Sequence, residues 1–529
     1  MPRRRTPTFI TEIPLQVTPR DELILLARLE AARQLYNAVL GEAVQRVNLI
    51  QQSKLYQYAK SLPKLISDKP NQDRSEAFKA AWDLYSFSDY SMQAYAIQIR
   101  KSWIGEHIDA DTAQRLGTRA FRAARNILLG RSKRVRFKGR NQMDSLEGKS
   151  GRSPMKWLDG CFVWKGLKLQ PYLTENDPVI LHGLNSPVKY VRLVRRKVGN
   201  RNLFYAQLIN EGFPFQKPKN MVGVAVVGLD IGPSTIAVVG GDTASLQPFC
   251  AAIKDKSAEV AKLQRQMSRQ QRANNPDCFD PDRCDLPKPG QKWGKRKRGK
   301  SIKGKRQTNR SNRYLKVRKR KAEIQRKLAA HRKSLHGKLA NKVLSIGKQI
   351  NTEKLSYRAF QRMFGKSVGN CAPGMFVGQL KRKAENAGGY FNEFPTKTTK
   401  LSQRCVCGDI KKKPLSQRVH TCQCGMIAQR DLLSGYLVMH VDVTGCYQAE
   451  TALNSFQGWD TILMAAWQQA DSRYHQSSIG SPPVVNVDAA SASERIALEA
   501  LESLSEIRDV VASRESPKQD RSIQRTPCL

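Results

Sequence analysis

Hydrophobic spacing along the chain changes character several times. Residues 8–17 alternate, with Ile13, Leu15 and Val17 free to share one face, which predicts a strand. Thr18-Pro19-Arg20-Asp21 then predicts a helix start. Thr18 can cap, Pro19 suits the first helical position, and Asp21 can reach back to the cap amide. Leu25, Leu29, Ala32, Tyr36 and Val39 follow at helical spacing, and the pattern continues with breaks to about Leu129. From about Val135 to Asn220 the character changes. Short runs at 161–164, 188–194 and 203–208 are rich in β-branched or aromatic residues and punctuated by Gly and Pro. They predict a small antiparallel β domain, completed by the N-terminal strand. Residues 221–241 are the most apolar stretch and read as strand, Gly-Pro turn, strand. Helix formers run throughout 314–346, predicting a long basic helix, and residues 476–487 have linker composition. An acidic, Ala/Leu-rich pattern at 488–512 is expected to form a peripheral tail.

Charge narrows the class. The 529 residues allow two to four domains, and 91 Lys+Arg against 45 Asp+Glu give a net charge of +46. Residues 291–340 alone hold 21 Lys/Arg and one acid, Glu323. A domain with such an excess repels itself unless a polyanion lies against it, and nucleic acid is the usual one. The first half of that segment is Gly-rich and is expected to be a flexible loop. No apolar run is long enough to span a membrane, and MPRRRTPTF lacks the apolar region of a secretory signal. Eleven cysteines, four of them in two tight pairs, suit a reducing cytosol with one metal site. A cytoplasmic protein, nucleoid-associated when bound to DNA, is therefore expected.

Two constellations carry chemistry. Cys405-Val406-Cys407-Gly408 and Cys422-Gln423-Cys424-Gly425 have the form of a zinc ribbon, in which Gly lets backbone amides approach the thiolates. One residue separates each pair instead of the usual two, and His420 stands by as a substitute ligand. Among the acids, Asp230 ends a strongly apolar strand, where a carboxylate costs folding energy unless an ion or donor offsets it. Glu353 follows a segment with Val343, Leu344, Ile346 and Ile350 at its apolar positions. Asp431 opens a helical pattern seven residues after Cys424, a place where an Asp is most often a cap. Several carboxylates converging from separate elements are what metal-dependent phosphodiester cleavage requires.

In order, Gly228-Leu229-Asp230-Ile231-Gly232, a basic helical segment, Glu353-Lys354-Leu355, Ser402-Gln403-Arg404-Cys405, two Cys pairs and Arg430-Asp431 resemble one family. It is the RuvC-like nuclease of transposon-encoded TnpB proteins and of compact type V CRISPR effectors. Arg33, Tyr36 and Asn37, then Arg136-Phe137-Lys138, and the stretch 378–385 extend the resemblance over roughly residues 8–440. It implies a multidomain α+β protein. A wedge β-barrel would use residues 1–17 and 135–220, and a helical recognition domain residues 18–134. An RNase H-like (RuvC) core would use residues 221–395, with a basic insertion at 254–340, and residues 430–450. A zinc ribbon would occupy 396–429 and a partly disordered tail 451–529. Carried over position by position, Asp230, Glu353 and Asp431 would hold Mg2+ or Mn2+, and Cys405, Cys407, Cys422 and Cys424 would hold Zn2+. A guide RNA and target double-stranded DNA would be the partners, and RNA-guided DNA cleavage the activity. The alternative is an RNA-guided DNA binder with a silent nuclease. After the last acid the chain departs from the family pattern, with Leu432-Leu433-Ser434-Gly435 where Asn and Ala are usual. An actin-like kinase, suggested by Asp230-Ile231-Gly232-Pro233-Ser234-Thr235, lacks a second phosphate loop. A conventional transposase would not carry a ribbon between its last two acids.

Overall fold

The computed structural model describes residues 6–477 except 68, 175, 200, 285–295, 303, 305, 306, 308, 415 and 416. The acidic segment 488–512 and part of the Gly-rich basic stretch lie outside the described residues. The chain forms two compact units, Met1–Lys217 and Pro218–Leu529. Among the described residues no helix is long and apolar enough to cross a membrane.

The first unit begins with β1 (Thr8–Pro14) and α1 (Pro19–Gln52). The helix starts as its sequence dictates: the Thr18 hydroxyl accepts from the Asp21 amide, and the Asp21 carboxylate accepts from the Thr18 amide. Helices α2 (Asp89–Arg100) and α3 (Ala110–Leu128) pack with α1 around Leu25, Leu35, Phe87 and Met92. The strands that follow are β2 (Ser145–Glu147), β3 (Lys156–Leu158), β4 (Cys161–Trp164), β5 (Leu167–Leu169), β6 (Val188–Val198) and β7 (Arg201–Glu211). They form two antiparallel sheets, β1-β7-β6-β2 and β3-β4-β5. A lone bridge from Leu15 to Pro171 stands between them. Two distant motifs meet in this unit. The Asn37 amide donates to the Lys138 carbonyl at 2.8 Å, and its oxygen accepts from the Lys138 amide at 2.9 Å. Arg33 reaches the same carbonyl.

The second unit is a mixed sheet between two helical layers. Its strands are β8 (Val226–Ile231), β9 (Thr235–Gly240), β10 (Thr243–Pro248), β11 (Gln349–Lys354) and β12 (Tyr390–Pro395), in the order β10-β9-β8-β11-β12. The first three form an antiparallel meander, and β11 and β12 join parallel to β8. Between β10 and β11 run the basic helices α4 (Ser257–Asn274) and α5 (Asn312–Ile346). Alternation along β8 splits the core. Val227, Leu229 and Ile231 face a cluster with Ala340, Val343 and Leu344 of α5 and Phe376 and Leu380 of α6 (Pro373–Asn386). The opposite face receives α7 (Arg430–Leu437) and α8 (Trp459–Ser477), through Leu432, Leu433, Tyr436, Leu463 and Ala466. The sequence reading places 451–529 in a partly disordered tail. Within it, residues 459–477 are a helix, held because burying Leu463 and Ala466 completes this layer.

Candidate functional site

The three candidate acids meet at one end of the sheet. Leu229 pairs with Thr352 across the parallel β8–β11 ladder, so the next residues along, Asp230 and Glu353, stand side by side. Their side chains share the face that receives α7, as Asn351 two residues earlier shows by donating to the Val438 carbonyl. Asp431 sits in the first turn of α7. Two glycines make this approach possible. A Cβ on Gly228 would lie 1.8 Å from the Gly435 carbonyl oxygen, so helix and strand touch backbone to backbone. The Ser434-Gly435 pair that breaks the family pattern therefore keeps small residues where α7 meets the sheet.

Burial pushes the Asp230 carboxyl well above its ordinary range, and the charges of Asp431 and Glu353 push it further. Arg430 and the Ser434 hydroxyl oppose the shift. Burial also raises Glu353, against hydrogen bonds from the Thr399 hydroxyl at 2.7 Å and the Leu401 amide at 3.2 Å to one carboxylate oxygen. Such mutual repulsion in a buried place is relieved by a cation. In the structure Asp431 has guanidinium neighbours: Arg418 lies 3.4 Å from one of its oxygens and Arg430 3.4 Å from the other. Arg430 is buried and braced by the Pro414 and Gln417 carbonyls, whereas the Arg418 side chain is 59% exposed. A cleft of about 520 Å3 opens beside Asp431, lined also by Arg418, Gln247, Gln429 and Trp467.

The four cysteines close into a tighter group, their sulfur atoms all within 4.8 Å of one another. Cys405 and Cys424 Sγ are 3.6 Å apart, and Cys407 and Cys422 Sγ 3.7 Å. Thiolates at about 2.3 Å from a tetrahedral ion stand about 3.8 Å apart, so the spacing fits zinc. Each pair sits on the same turn. The Cys405 amide donates to the Asp409 carbonyl and the Gly408 amide to Cys405. The Cys422 amide donates to Met426 and the Gly425 amide to Cys422. Gly408 and Gly425 take φ of +95° and +86°, which only glycine adopts without strain. His420 is not in the group: its Nδ1 accepts from the Lys413 ammonium, and burial followed by that charge pushes it down to about 4.

Sequence reasoning passed over Arg418, Thr399 and Trp467, whose roles depend on non-local packing, and named Ser434 only as a departure from the family pattern. It also passed over a third turn that had a signal. Asp442-Val443-Thr444-Gly445 parallels Cys405-Val406-Cys407-Gly408. The Asp442 amide donates to the Cys446 carbonyl and Gly445 to Asp442, while the Asp442 carboxylate accepts from the Thr444 and Cys446 amides.

Residues 374–436 match the family model described as Cas12f1-like, TNB domain, a segment that contains all four cysteines and Asp431. Over those residues the chain is similar to that domain. No curated protein matches the chain. Among solved structures, the Cas12f1-sgRNA-target DNA complex is similar at 11% identity and TM-score 0.35, over 81% of this chain and 98% of that one. A CRISPR-Cas12f ternary complex is similar at 9% identity and TM-score 0.24, over 84% and 100%.

Proposed function

We propose that this protein is an RNA-guided DNA endonuclease whose nuclease centre is built from Asp230, Glu353 and Asp431. The carrying observation is the convergence of these acids, 201 positions apart at the extremes, at one end of a sheet, where burial and then the charges of Asp431 and Glu353 raise Asp230. The meander-plus-parallel sheet supports an RNase H-like core, and the Cas12f1-like segment supports guidance by RNA and a DNA target. On this reading the strands of the first unit form the wedge, and α1 to α3 the recognition domain. Zn2+ would be held by Cys405, Cys407, Cys422 and Cys424 as a structural ion.

The acid set fits hard divalent cations: oxygen ligands from three elements, partly buried and mutually repelling. Mg2+ or Mn2+, when bound, supplies Lewis-acid polarisation of the phosphate and activation of water. The chain's own residues do the rest. Thr399 and Leu401 fix Glu353, Ser434 and Arg430 steady Asp230, and Arg430 anchors the loop between the cysteine pairs to α7. Arg418 stands at the cleft as an exposed cation that can turn from Asp431 to a phosphate. A second reading, guided binding without cutting, is favoured by the guanidinium contacts at Asp431. Protein purified with co-expressed RNA is expected to cut a plasmid matching that RNA in Mg2+. Asp230→Ala is expected to bind the same plasmid and leave it intact. Tight guided binding by both proteins with no nicking by either would decide for the silent binder.

A further inference from the structure

Ser402-Gln403-Arg404-Cys405 leads into the first cysteine turn, and no step proposed above uses its arginine. Glu353 is held from the same segment. The Thr399 hydroxyl and the Leu401 amide, which donate to its carboxylate, flank a single residue, Lys400. Lys400 takes φ of +48°, a left-handed conformation that a lysine keeps only where its surroundings impose it. It joins the short helix Thr396–Thr399 to the turn Leu401–Gln403. Thr399 and Leu401 are buried, so their donors face Glu353 only while this kink is kept. Arg404 clasps the kink from the other side. Its Nε donates to the Thr399 carbonyl at 3.1 Å, and its Nη1 donates to the Gly408 carbonyl at 3.2 Å. Gly408 is the glycine of the first cysteine turn. The guanidinium also lies 4.9 Å from the centre of the Tyr447 ring. The Tyr447 hydroxyl in turn donates to the carbonyl of Val406, between Cys405 and Cys407, at 3.0 Å.

From these contacts we infer that Arg404 is a positioning residue for Glu353, and that it ties the acid's geometry to the closed state of the four-cysteine group. The inference rests on the nuclease reading above and adds a control on that centre. One guanidinium has a hydrogen bond in each place, behind Glu353 and in the cysteine turn. With the turn closed, the Gly408 carbonyl is fixed, Arg404 is fixed with it, and the Thr399 carbonyl is pinned. Opening of the turn withdraws Gly408 and frees the guanidinium. Lys400 can then relax to ordinary backbone angles, and Glu353 loses the two donors that orient it. Such partners of an ion-binding carboxylate matter: their loss typically costs about 10–100-fold in ion affinity or activity. The residue type follows from the geometry. A planar guanidinium sets its N–H groups in fixed directions and so fixes two carbonyls relative to each other. A lysine ammonium, a point charge on a flexible stem, does not. Arg404 thus acts on the reaction through Thr399, without being a ligand itself.

The test uses the full-length protein with its co-purified RNA and reads hydrogen exchange at the Leu401 amide by mass spectrometry of peptides covering 396–404. Arg404→Ala and Arg404→Lys are both expected to speed that exchange about tenfold or more. Both should keep the zinc content of wild type, and peptides from β12 should exchange as before. In guided cleavage the same variants should need roughly ten times more Mg2+ for half-maximal rate, with KM for the target DNA unchanged. Chelating zinc from wild type should speed Leu401 by the same factor and add nothing in Arg404→Ala. Wild-type exchange at Leu401 in a zinc-loaded Arg404→Ala overturns the inference, as does an Arg404→Lys that matches wild type in every readout. A Leu401 amide that stays slow in wild type after zinc removal overturns the tie to the cysteines. The Arg404 variants decide the point even where chelation unfolds the ribbon, because they keep the ion. The nuclease reading fails separately: Arg404-dependent exchange at Leu401 in a protein that cuts no guided target keeps the tie to Glu353 and removes the catalysis.

Discussion

Asp230 shows how one residue can be legible and its partner not. A carboxylate closing an apolar strand conflicts with its surroundings, and that conflict is visible in the sequence alone. Glu353 lies in a polar stretch, Asn351-Thr352-Glu353-Lys354, with nothing local to mark it. Its meaning comes from parallel pairing with a strand more than a hundred residues away, which no periodicity records. The raised Asp230 has a measurable consequence. An acid whose folded-state pKa lies above its unfolded value binds its proton more tightly in the folded protein. Stability from this source is thus full at low pH and lost as pH rises from about 4, the unfolded value, through the raised folded one. Asp230→Asn removes that loss. Without divalent ions, its melting temperature is expected to exceed that of wild type by a few degrees at pH 7.5, and the gap should close towards pH 4. Adding Mg2+ should raise the wild-type melting temperature and move the variant less. Thermal melts at both pH values check this, and a variant melting below wild type at pH 7.5 would contradict it.

Among the elements, those with local signals came through intact. Thr18 and Asp21 mark the start of α1 as they form its capping box, and the Gly-Pro turn joins β8 and β9 where the apolar run breaks. The long basic helix begins at Asn312, two residues before the expected Tyr314, because Ser311 caps it. Elements defined by what they cover were not legible. Helix α8 follows a run of short turns, and its sequence reads as part of the tail. Only the exposed side of the sheet shows why it must fold. The pairing of Asn37 with Lys138 explains two motifs that the sequence keeps apart. The contact of α7 with β8 is the most demanding in the second unit. Gly228→Ala puts a methyl into the Gly435 carbonyl, so α7 must retreat and carry Asp431 with it. The substitution is expected to cost about 1–3 kcal/mol in urea denaturation. It should also abolish Mg2+-dependent cutting, although it removes no ligand. Full activity would show that Asp431 is not held by this contact.

Over the whole molecule, the net charge of +46 is arranged so that 20 units of its excess fall in residues 291–340, which contain most of α5. Binding of RNA to the purified protein should therefore be dominated by counterion release. For about ten neutralised phosphates, affinity is expected to fall by roughly three to five orders of magnitude between 50 and 200 mM salt. A flat salt profile in a binding titration would remove the polyanion reading. The mixed α/β content and the four-cysteine cluster were legible because they rest on residue types at a few positions. The two-sheet form of the first unit and the placement of α8 were not, since they depend on which surfaces remain after the core has closed. The distribution of the acids along the chain has one more consequence, in the order of synthesis. A ribosome delivers Asp230 first, Glu353 after more than a hundred further residues, and Asp431 only once the cysteine turns have been made. Until α7 emerges and docks against Gly228, a nascent or truncated chain can hold nucleic acid along α5 but cannot assemble the three acids. On the proposed function, the length of the gap between the three acids keeps half-made copies from cutting DNA.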